Sequence, residues 1–291
     1  MYRRKRGRSE RDRSASPPPD RSLSARLESA VRTSPWALRY QPIVELVLGR
    51  AVGAEALIRW PDASGAEVPP SRFIPLAEEM GLISTIGSWI VGELETQLRA
   101  WRADGTLDHL AAVTTNVSPR QLWHPALLEM FGRLVDAAGR RDLIVLEITE
   151  SALGMDPGRA LTTLQEVRAL GARVALDDFG TGYSSLSRLR SLPIDIVKID
   201  RSFMEDIDAD PSARSVLKSM IRLIGSLEMV PLVEGIETAT QLEFVRDEGC
   251  VLAQGYRLGR PARAGLLSER IRRDARAVIS LDNSPAFATP D

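Results

Sequence analysis

Residues 171–186 read GARVALDDFGTGYSSL. Val174, Ala175 and Leu176 form the short apolar run of a strand buried on both faces. The run ends in two adjacent carboxylates, Asp177 and Asp178. A loop with two glycines and several hydroxyls follows, in which Ser184 or Ser185 can cap the next helix. Two like charges at the end of a buried strand repel each other and lose hydration, so they need a partner. One solution is a divalent cation or two. The other is an Asp pair that caps a helix and faces water, which is the simpler account of an isolated Asp-Asp. The other strand ends decide between them.

Upstream of the Asp pair, 159–170 has helical periodicity ended by Gly171 in the C-cap manner, and 143–149 is an apolar strand. Before these lie a helix over 120–138, a strand over 111–117 and a long helical stretch over 73–103, with Gly81 and Gly87 as breaks. Downstream, strands at 195–200, 230–234 and 251–255 alternate with helices at 213–228 and 240–248. Near the start, 39–46 and 51–60 read as two strands whose linker is too short for a parallel crossover, so they pair antiparallel. Eight strands mostly followed by helices fit an α/β fold, a TIM-like (β/α)8 barrel with its first strand antiparallel. An open doubly wound sheet is the alternative. It usually has fewer strands and a glycine-rich first βα turn, which is absent here.

Residues 1–22 are Arg, Ser and Pro with almost nothing to bury, and disorder is the expectation. They include eight basic side chains up to Arg21 against Glu10, Asp12 and Asp20, so the overall charge of −1 hides a tail of +5 and a body of −6. A weak contact of that tail with acidic surfaces is the functional alternative to a solvated segment. The mildly acidic body argues against a specific nucleic-acid groove. Residues 23–33 form a short amphipathic helix, 23–273 the barrel, and 274–291 a flexible C-terminal tail. Cys250 is the single cysteine, which excludes an intrachain disulfide, and His109 and His124 are too few for a three-histidine metal site. No apolar run approaches a membrane span, and the basic N-terminus lacks the apolar stretch of a signal peptide, so the chain reads as cytoplasmic.

At or near the strand ends stand Glu55, Asn116, Glu147, Glu150, Asp177, Asp178, Lys198, Glu234, Glu237 and Gln254. A barrel gathers such residues at its C-terminal face. Each alone has an ordinary role: Glu147 paired with an arginine, Asn116 or Glu237 at a helix start. Together, opposed only by Lys198 and Arg59, the seven carboxylates are untenable without bound cations. All-oxygen ligands suit Mg²⁺, Mn²⁺ or Ca²⁺ rather than zinc. Two metals about 3.5–4 Å apart serve in-line displacement at phosphorus, and Asp177, with Asp178 beside it, is placed to bridge them. No G-x-S-x-G elbow and no G-x-x-x-x-G-K-[ST] loop is present. Gly180-Thr181-Gly182 lacks the third glycine of a dinucleotide turn. A retaining glycosidase needs two carboxylates, not seven, and neither the Asn nor the Lys.

Glu55-Ala56-Leu57-Ile58-Arg59 resembles the E-A-L-x-R signature of the EAL-domain cyclic-di-GMP phosphodiesterases. The resemblance runs in order through Tyr40-Gln41-Pro42-Ile43, Phe73-Ile74-Pro75-Leu76-Ala77-Glu78, Asn116-Val117-Ser118 and Glu147-Ile148-Thr149-Glu150. It continues through Asp177-Asp178-Phe179-Gly180-Thr181-Gly182, Lys198-Ile199-Asp200, Glu234-Gly235-Ile236-Glu237-Thr238 and Gln254-Gly255-Tyr256. It covers residues 25–265 with no departure at these positions.

What the resemblance implies is metal-dependent hydrolysis of cyclic di-GMP to linear pGpG. Glu55, Asn116, Glu147 and Asp177 would bind a first ion, and Asp177 and Asp178 a second. The ions would be Mg²⁺ or Mn²⁺, with Ca²⁺ as an inhibitor. Lys198 would hold the attacking water or a phosphate oxygen, and Glu234 would be the general base or its organiser. Glu150 would steady the loop after Asp178, and Glu237 would support Glu234. Arg59 would hold a substrate phosphate, and Gln41 and Gln254 would line the nucleotide site. The family also implies a homodimer built through helices near the loop after Asp178. A non-catalytic cyclic-di-GMP receptor or protein-interaction module on the same fold is the alternative. The Gly-Gly-[DE]-Glu-Phe motif of the cyclase domain common in this family is absent, so a stand-alone phosphodiesterase domain is expected.

Overall fold

The structure, a computed structural model, describes residues 21–62, 64–182 and 186–282. Its sheet starts with a hairpin of β1 (Ala37–Glu45) and β2 (Arg50–Pro61), antiparallel with Ala37 opposite Arg59 and Glu45 opposite Arg50. A short β3 (Glu67–Val68), not foreseen from the sequence, pairs with the outer end of β2. Then β4 (Ala112–Asn116) adds parallel to β2, and β5 (Ile144–Thr149), β6 (Arg173–Phe179), β7 (Ile196–Ile199), β8 (Val230–Val233) and β9 (Leu252–Ala253) follow in sequence order, each parallel to the strand before it. The ring closes where β9 pairs antiparallel with β1. The result is the expected eight-stranded barrel with its first strand reversed.

Helices surround the ring: α1 (Arg21–Thr33), α2 (Pro70–Glu79), α3 (Ile83–Ala103), α4 (Pro119–Leu122), α5 (Leu127–Ala138) and α6 (Glu150–Met155). They continue with α7 (Pro157–Ala169), α8 (Leu186–Ser191), α9 (Pro211–Ser226), α10 (Ala239–Asp247) and α11 (Ala264–Asp282). Local chemistry sets several starts. Ser118 with Gln121 and Thr238 with Gln241 form capping boxes for α4 and α10, and Asp156 and Asp210 cap α7 and α9 ahead of a proline.

Three expectations need correction. Gly81, at φ 69°, does separate α2 from α3, but Gly87 lies inside α3. Its missing side chain admits Gln121, whose amide would lie 1.8 Å from a Cβ there. The helix expected over 120–138 is two helices, interrupted around Pro125. The chain does not loosen at 274, because α11 continues to Asp282 and Asp274 accepts a 3.1 Å hydrogen bond from the Ala51 N–H. Residues 1–20, the candidate caps Ser184 and Ser185, and 283–291 lie outside the described residues.

The period-two alternation of a strand sorts its side chains to opposite faces of the barrel wall. Outward-facing Leu146, Ile148, Val174, Leu176, Val197 and Val233 join the large core under the helices. Inward-facing Ile43, Ala112, Val145, Ala175, Ile196 and Leu232 form a separate apolar plug inside the barrel. Two residues further toward the C-terminal ends stand Thr114, Glu147, Asp177, Lys198 and Glu234, all on the same face as the plug. The barrel is therefore floored with aliphatic groups and topped with a polar layer. Among the described residues no helix is long and apolar enough to cross a membrane.

The amphipathic α1 belongs to this core. Leu23, Leu27 and Ala30 are buried beside Trp36, Trp60 and Phe73, whose rings contact one another at centroid distances of 5.4–5.8 Å. Leu27 has no exposed surface. Replacing Leu27 by Ala removes buried methyl groups and leaves a cavity, a loss of about 2–5 kcal/mol. Chemical denaturation should show that loss as a lower midpoint; an unchanged midpoint would mean that α1 is a dispensable arm.

Candidate active site

The two carboxylates at the end of β6 do not point to opposite faces. Asp178 has φ 55°, a left-handed conformation that aspartate tolerates better than most side chains. The register of β6 on β7 shifts between Leu176 and Phe179 at the same place. This bulge turns Asp178 back toward Asp177. One carboxylate oxygen each of Asp177, Asp178 and Glu234 then lies within 4.8 Å of the others. The Asp178 N–H donates to Asp177 Oδ1 at 3.1 Å, and the Thr181 hydroxyl donates to the Asp178 carbonyl at 2.8 Å.

Lys198 stands at the centre of the polar layer and is 1% exposed. Its Nζ lies 2.9 Å from Glu234 Oε1, 3.0 Å from Asp177 Oδ1, 3.0 Å from Glu147 Oε2 and 3.6 Å from Glu55 Oε1. Asn116 Nδ2 donates to Glu55 Oε1 at 3.1 Å, and Gln254 Nε2 donates to Glu55 Oε2 at 2.6 Å. Glu147 Oε1 is buried and accepts no hydrogen bond.

The charges answer one another. Burial alone would favour a neutral Lys198, but Asp177, Glu147, Glu234 and Glu55 raise its pKa well above the ordinary value. Burial also raises Glu55, yet the Lys198 charge and the bonds from Gln254 and Asn116 hold it below the usual carboxylate range. Burial, against the opposing pull of Lys198, leaves Glu147 well above that range, with Glu55 and Asp177 adding to the rise. Burial raises Asp178 too, helped by Asp177 and Asp200. Burial, then Asp177 and Glu55, push Glu234 up to about 7. Burial and mutual repulsion thus favour the neutral forms of Glu147, Asp178 and Glu234. The all-oxygen donor set, the unpartnered Glu147 oxygen and the bulge that aims Asp178 inward fit a hard divalent ion. Asp177, Asp178 and Glu234 form an acidic group able to hold one.

The remaining candidates fall around this centre. Gln41, Glu55, Asp177, Lys198, Glu234, Glu237 and Gln254 line one cleft of about 250 Å³. Gln41 Nε2 donates to the Gly259 carbonyl at 3.2 Å. Glu150 stands outside the cluster and accepts from the Gly182 N–H at 3.1 Å, so it touches the loop after Asp178. Glu237 sits in the turn after Glu234, where its N–H donates to Gln241 Oε1 at 2.8 Å. Arg59 is not brought into this cleft. It lines an adjoining cavity of about 480 Å³ with Asn116, Ile74 and Pro75, with Nε 3.4 Å from Glu67. Leu57 borders both spaces.

Three residues in or beside the cleft carried no role in the sequence reading. Thr114 is a buried member of the polar layer, and its place two residues before Asn116 on an alternating strand is the signal that could have found it. Tyr256 is exposed at the cleft wall with the Arg260 guanidinium 4.1 Å from its ring centroid, a cation–π contact. Arg201 lines the same cleft from the 3₁₀ turn Arg201–Met204 after β7. The Asp200 side chain caps that turn by accepting from the Ser202 N–H.

Comparison with known proteins agrees with this geometry. A family model described as EAL domain matches residues 24–261. The chain is 40% identical over 243 residues to an uncharacterized signaling protein of Caulobacter vibrioides, covering 83% of this chain and 29% of that protein. It is 35% identical over 251 residues to the cyclic di-GMP phosphodiesterase NbdA of Pseudomonas aeruginosa, covering 86% of this chain and 32% of that one. Among solved structures, the PaMucR phosphodiesterase in its c-di-GMP complex superposes with a TM-score of 0.76 at 36% identity, covering 84% of this chain and 99% of the other. The chain spans about three-tenths of the length of the curated relatives it matches.

The acidic cluster makes metal-free stability depend on pH in a defined direction. The Glu234 carboxyl, raised from 4.5 to about 7, holds its proton more tightly folded than unfolded. Its contribution is therefore full below the unfolded value and is lost as pH rises through about 7. In the presence of a chelator, the wild type should lose stability between about pH 5 and about pH 8, by up to about 3 kcal/mol from this group. Glu234→Gln should flatten that slope. Parallel melting-temperature profiles for the two proteins would show that Glu234 does not carry the effect.

Proposed function

The chain belongs to the EAL domain family, and from that premise we propose that it is a cyclic di-GMP phosphodiesterase, dependent on divalent Mg²⁺ or Mn²⁺, that produces linear pGpG. The observation that carries this reading is the complete carboxylate set around buried Lys198, with Asp178 turned into the same cluster.

In this reading Glu55, Asn116, Glu147 and Asp177 would hold one ion, and Asp177 with Asp178 would hold a second. When bound, the cations supply an acidified attacking water and countercharge for the phosphoryl oxygens. Glu234 would take a proton from the attacking water. Its carboxylate oxygen lies within 4.8 Å of one oxygen each of Asp177 and Asp178, close enough to act on a water held there. The water oxygen would form a bond to phosphorus as the bond to the 3′-oxygen breaks, the leaving 3′-oxygen would take up a proton from solvent to become a hydroxyl, and the product would keep a terminal 5′-phosphate. Lys198 supplies a fixed positive charge to the water or a phosphate oxygen. Glu237 supports the turn that carries Glu234, and Glu150 holds the loop after Asp178 through the Gly182 N–H. Gln41 and Gln254 line the nucleotide site, and Arg59 reaches substrate from the adjoining cavity. The same reading includes a homodimer formed near the loop after Asp178.

Purified protein with Mg²⁺ or Mn²⁺ should convert cyclic di-GMP to pGpG. Folded, metal-loaded protein that binds the nucleotide and releases no pGpG would make it a receptor instead. Glu234→Gln should retain substrate binding while the rate falls by roughly 10²–10⁴. Asp177→Asn should abolish turnover even at raised metal concentration. Divalent metal should raise the melting temperature of the wild type more than that of Asp177→Asn, since a ligand that binds only the folded state stabilises it. Equal rises would remove Asp177 from the metal site. Sedimentation should find a dimer at micromolar protein, and a fully active monomer would refute that part.

A further inference from the structure

The carboxylate cleft has a charge problem that its ion ligands do not solve. This inference rests on the phosphodiesterase reading, in which the substrate is a cyclic dinucleotide carrying two phosphodiesters, each a monoanion. One phosphate is the reaction centre and is served by the cations and Lys198. The other must enter a cleft whose walls include Glu55, Asp177, Glu234 and Glu237. Like charges across a desolvated contact repel, so the second phosphate needs a cation of its own.

Two residues with cationic side chains are among those lining that cleft, Lys198 and Arg201. Lys198 is enclosed by four carboxylates at 2.9–3.6 Å and is committed to the centre. Arg59, the arginine that the family resemblance offers as a phosphate ligand, lines the neighbouring cavity and faces Glu67. Arg201 is exposed, and among the described residues no carboxylate lies within ion-pair distance of it. The chain also makes room for it. Gly235, at φ 75°, directly follows Glu234, and a Cβ there would stand 2.5 Å from the Arg201 Cβ. The glycine lets the Arg201 backbone pack against the Glu234 turn, at the rim of the acidic pool. A guanidinium presents a planar fork of N–H donors suited to two phosphate oxygens, which an ammonium cannot match.

We infer that Arg201 binds the phosphate of the cyclic dinucleotide that is not being cleaved, and so orients the other over the carboxylate cluster. It is a substrate-positioning residue and moves no proton.

The test compares wild type, Arg201→Gln and Arg201→Lys on two substrates with the same metal. Cyclic di-GMP carries the second phosphate; bis(p-nitrophenyl) phosphate does not. For Arg201→Gln, KM for cyclic di-GMP should rise roughly tenfold or more, the scale of a lost charged hydrogen bond, with a smaller fall in kcat. The loss in kcat/KM should be at least about fivefold greater on cyclic di-GMP than on bis(p-nitrophenyl) phosphate. Arg201→Lys should recover part of the KM loss, because it restores charge without the fork. Equal losses on both substrates, or an unchanged KM for cyclic di-GMP, would overturn the inference while leaving the phosphodiesterase reading intact. A wild type that releases no pGpG would overturn the reading itself.

Discussion

Everything at the mouth of the barrel depends on the burial of Lys198 among Glu55, Glu147, Asp177 and Glu234. An ammonium taken out of water is sustained only by countercharge and hydrogen bonds at close range. Lys198 and its four partners come from β2, β5, β6, β7 and the residue directly after β8, so a single ionic knot ties most of the barrel wall together. The knot exists only if these strands hold one register, because a slip of one residue would send a charged side chain into the apolar layer under the helices. The aliphatic plug below it excludes water from one side. The helices exclude it from the outside, and the knot opens only toward the C-terminal mouth.

The same enclosure leaves the site charged. A set of carboxylates with one ammonium among them has more negative charge than its surroundings can neutralise, and burial magnifies the imbalance. The cluster responds by holding protons on Glu147, Glu234 and Asp178 more tightly than water would allow. A group that binds protons against its own preference is also one that exchanges them for divalent ions. The Asp178 bulge adds to this state at the cost of an uncommon backbone angle. Such local strain at a site persists where surrounding bonds over-determine it, and here the Asp178 N–H and carbonyl are both engaged.

Some of this was legible in the linear chain, for a plain reason. Strand alternation is local, so an apolar run ending in Asp177, or Val145 and Leu146 before Glu147, announces both a buried strand and a charge at its open end. The reversed first strand was equally readable, since the short link through Gly49 leaves no length for a crossover. Barrel closure then followed from counting strands. What local pattern could not supply was anything set by an approach between segments far apart in sequence. Gly87 looks like a helix break until Gln121 is seen filling its missing side chain. The continuation of α11 past 274 depends on Asp274 meeting the Ala51 N–H, a partner more than two hundred residues away.

The same division holds inside the site. By itself, the sequence determined which carboxylates, amides and lysine share the barrel mouth, because each sits at the end of a strand whose period places it on the inner face. Tertiary structure alone decided how they meet: Asp178 turned inward by a left-handed residue, Lys198 enclosed by four acids, and Arg201 placed where Gly235 clears its path. It also moved Arg59 out. Arg59 shares a face with Glu55, but four residues along a strand is about 13 Å, far enough to carry it beyond the barrel rim to β3 and Glu67. Periodicity fixes direction in the wall of a barrel. Distance across its mouth, and the charge that distance creates, belong to the folded chain.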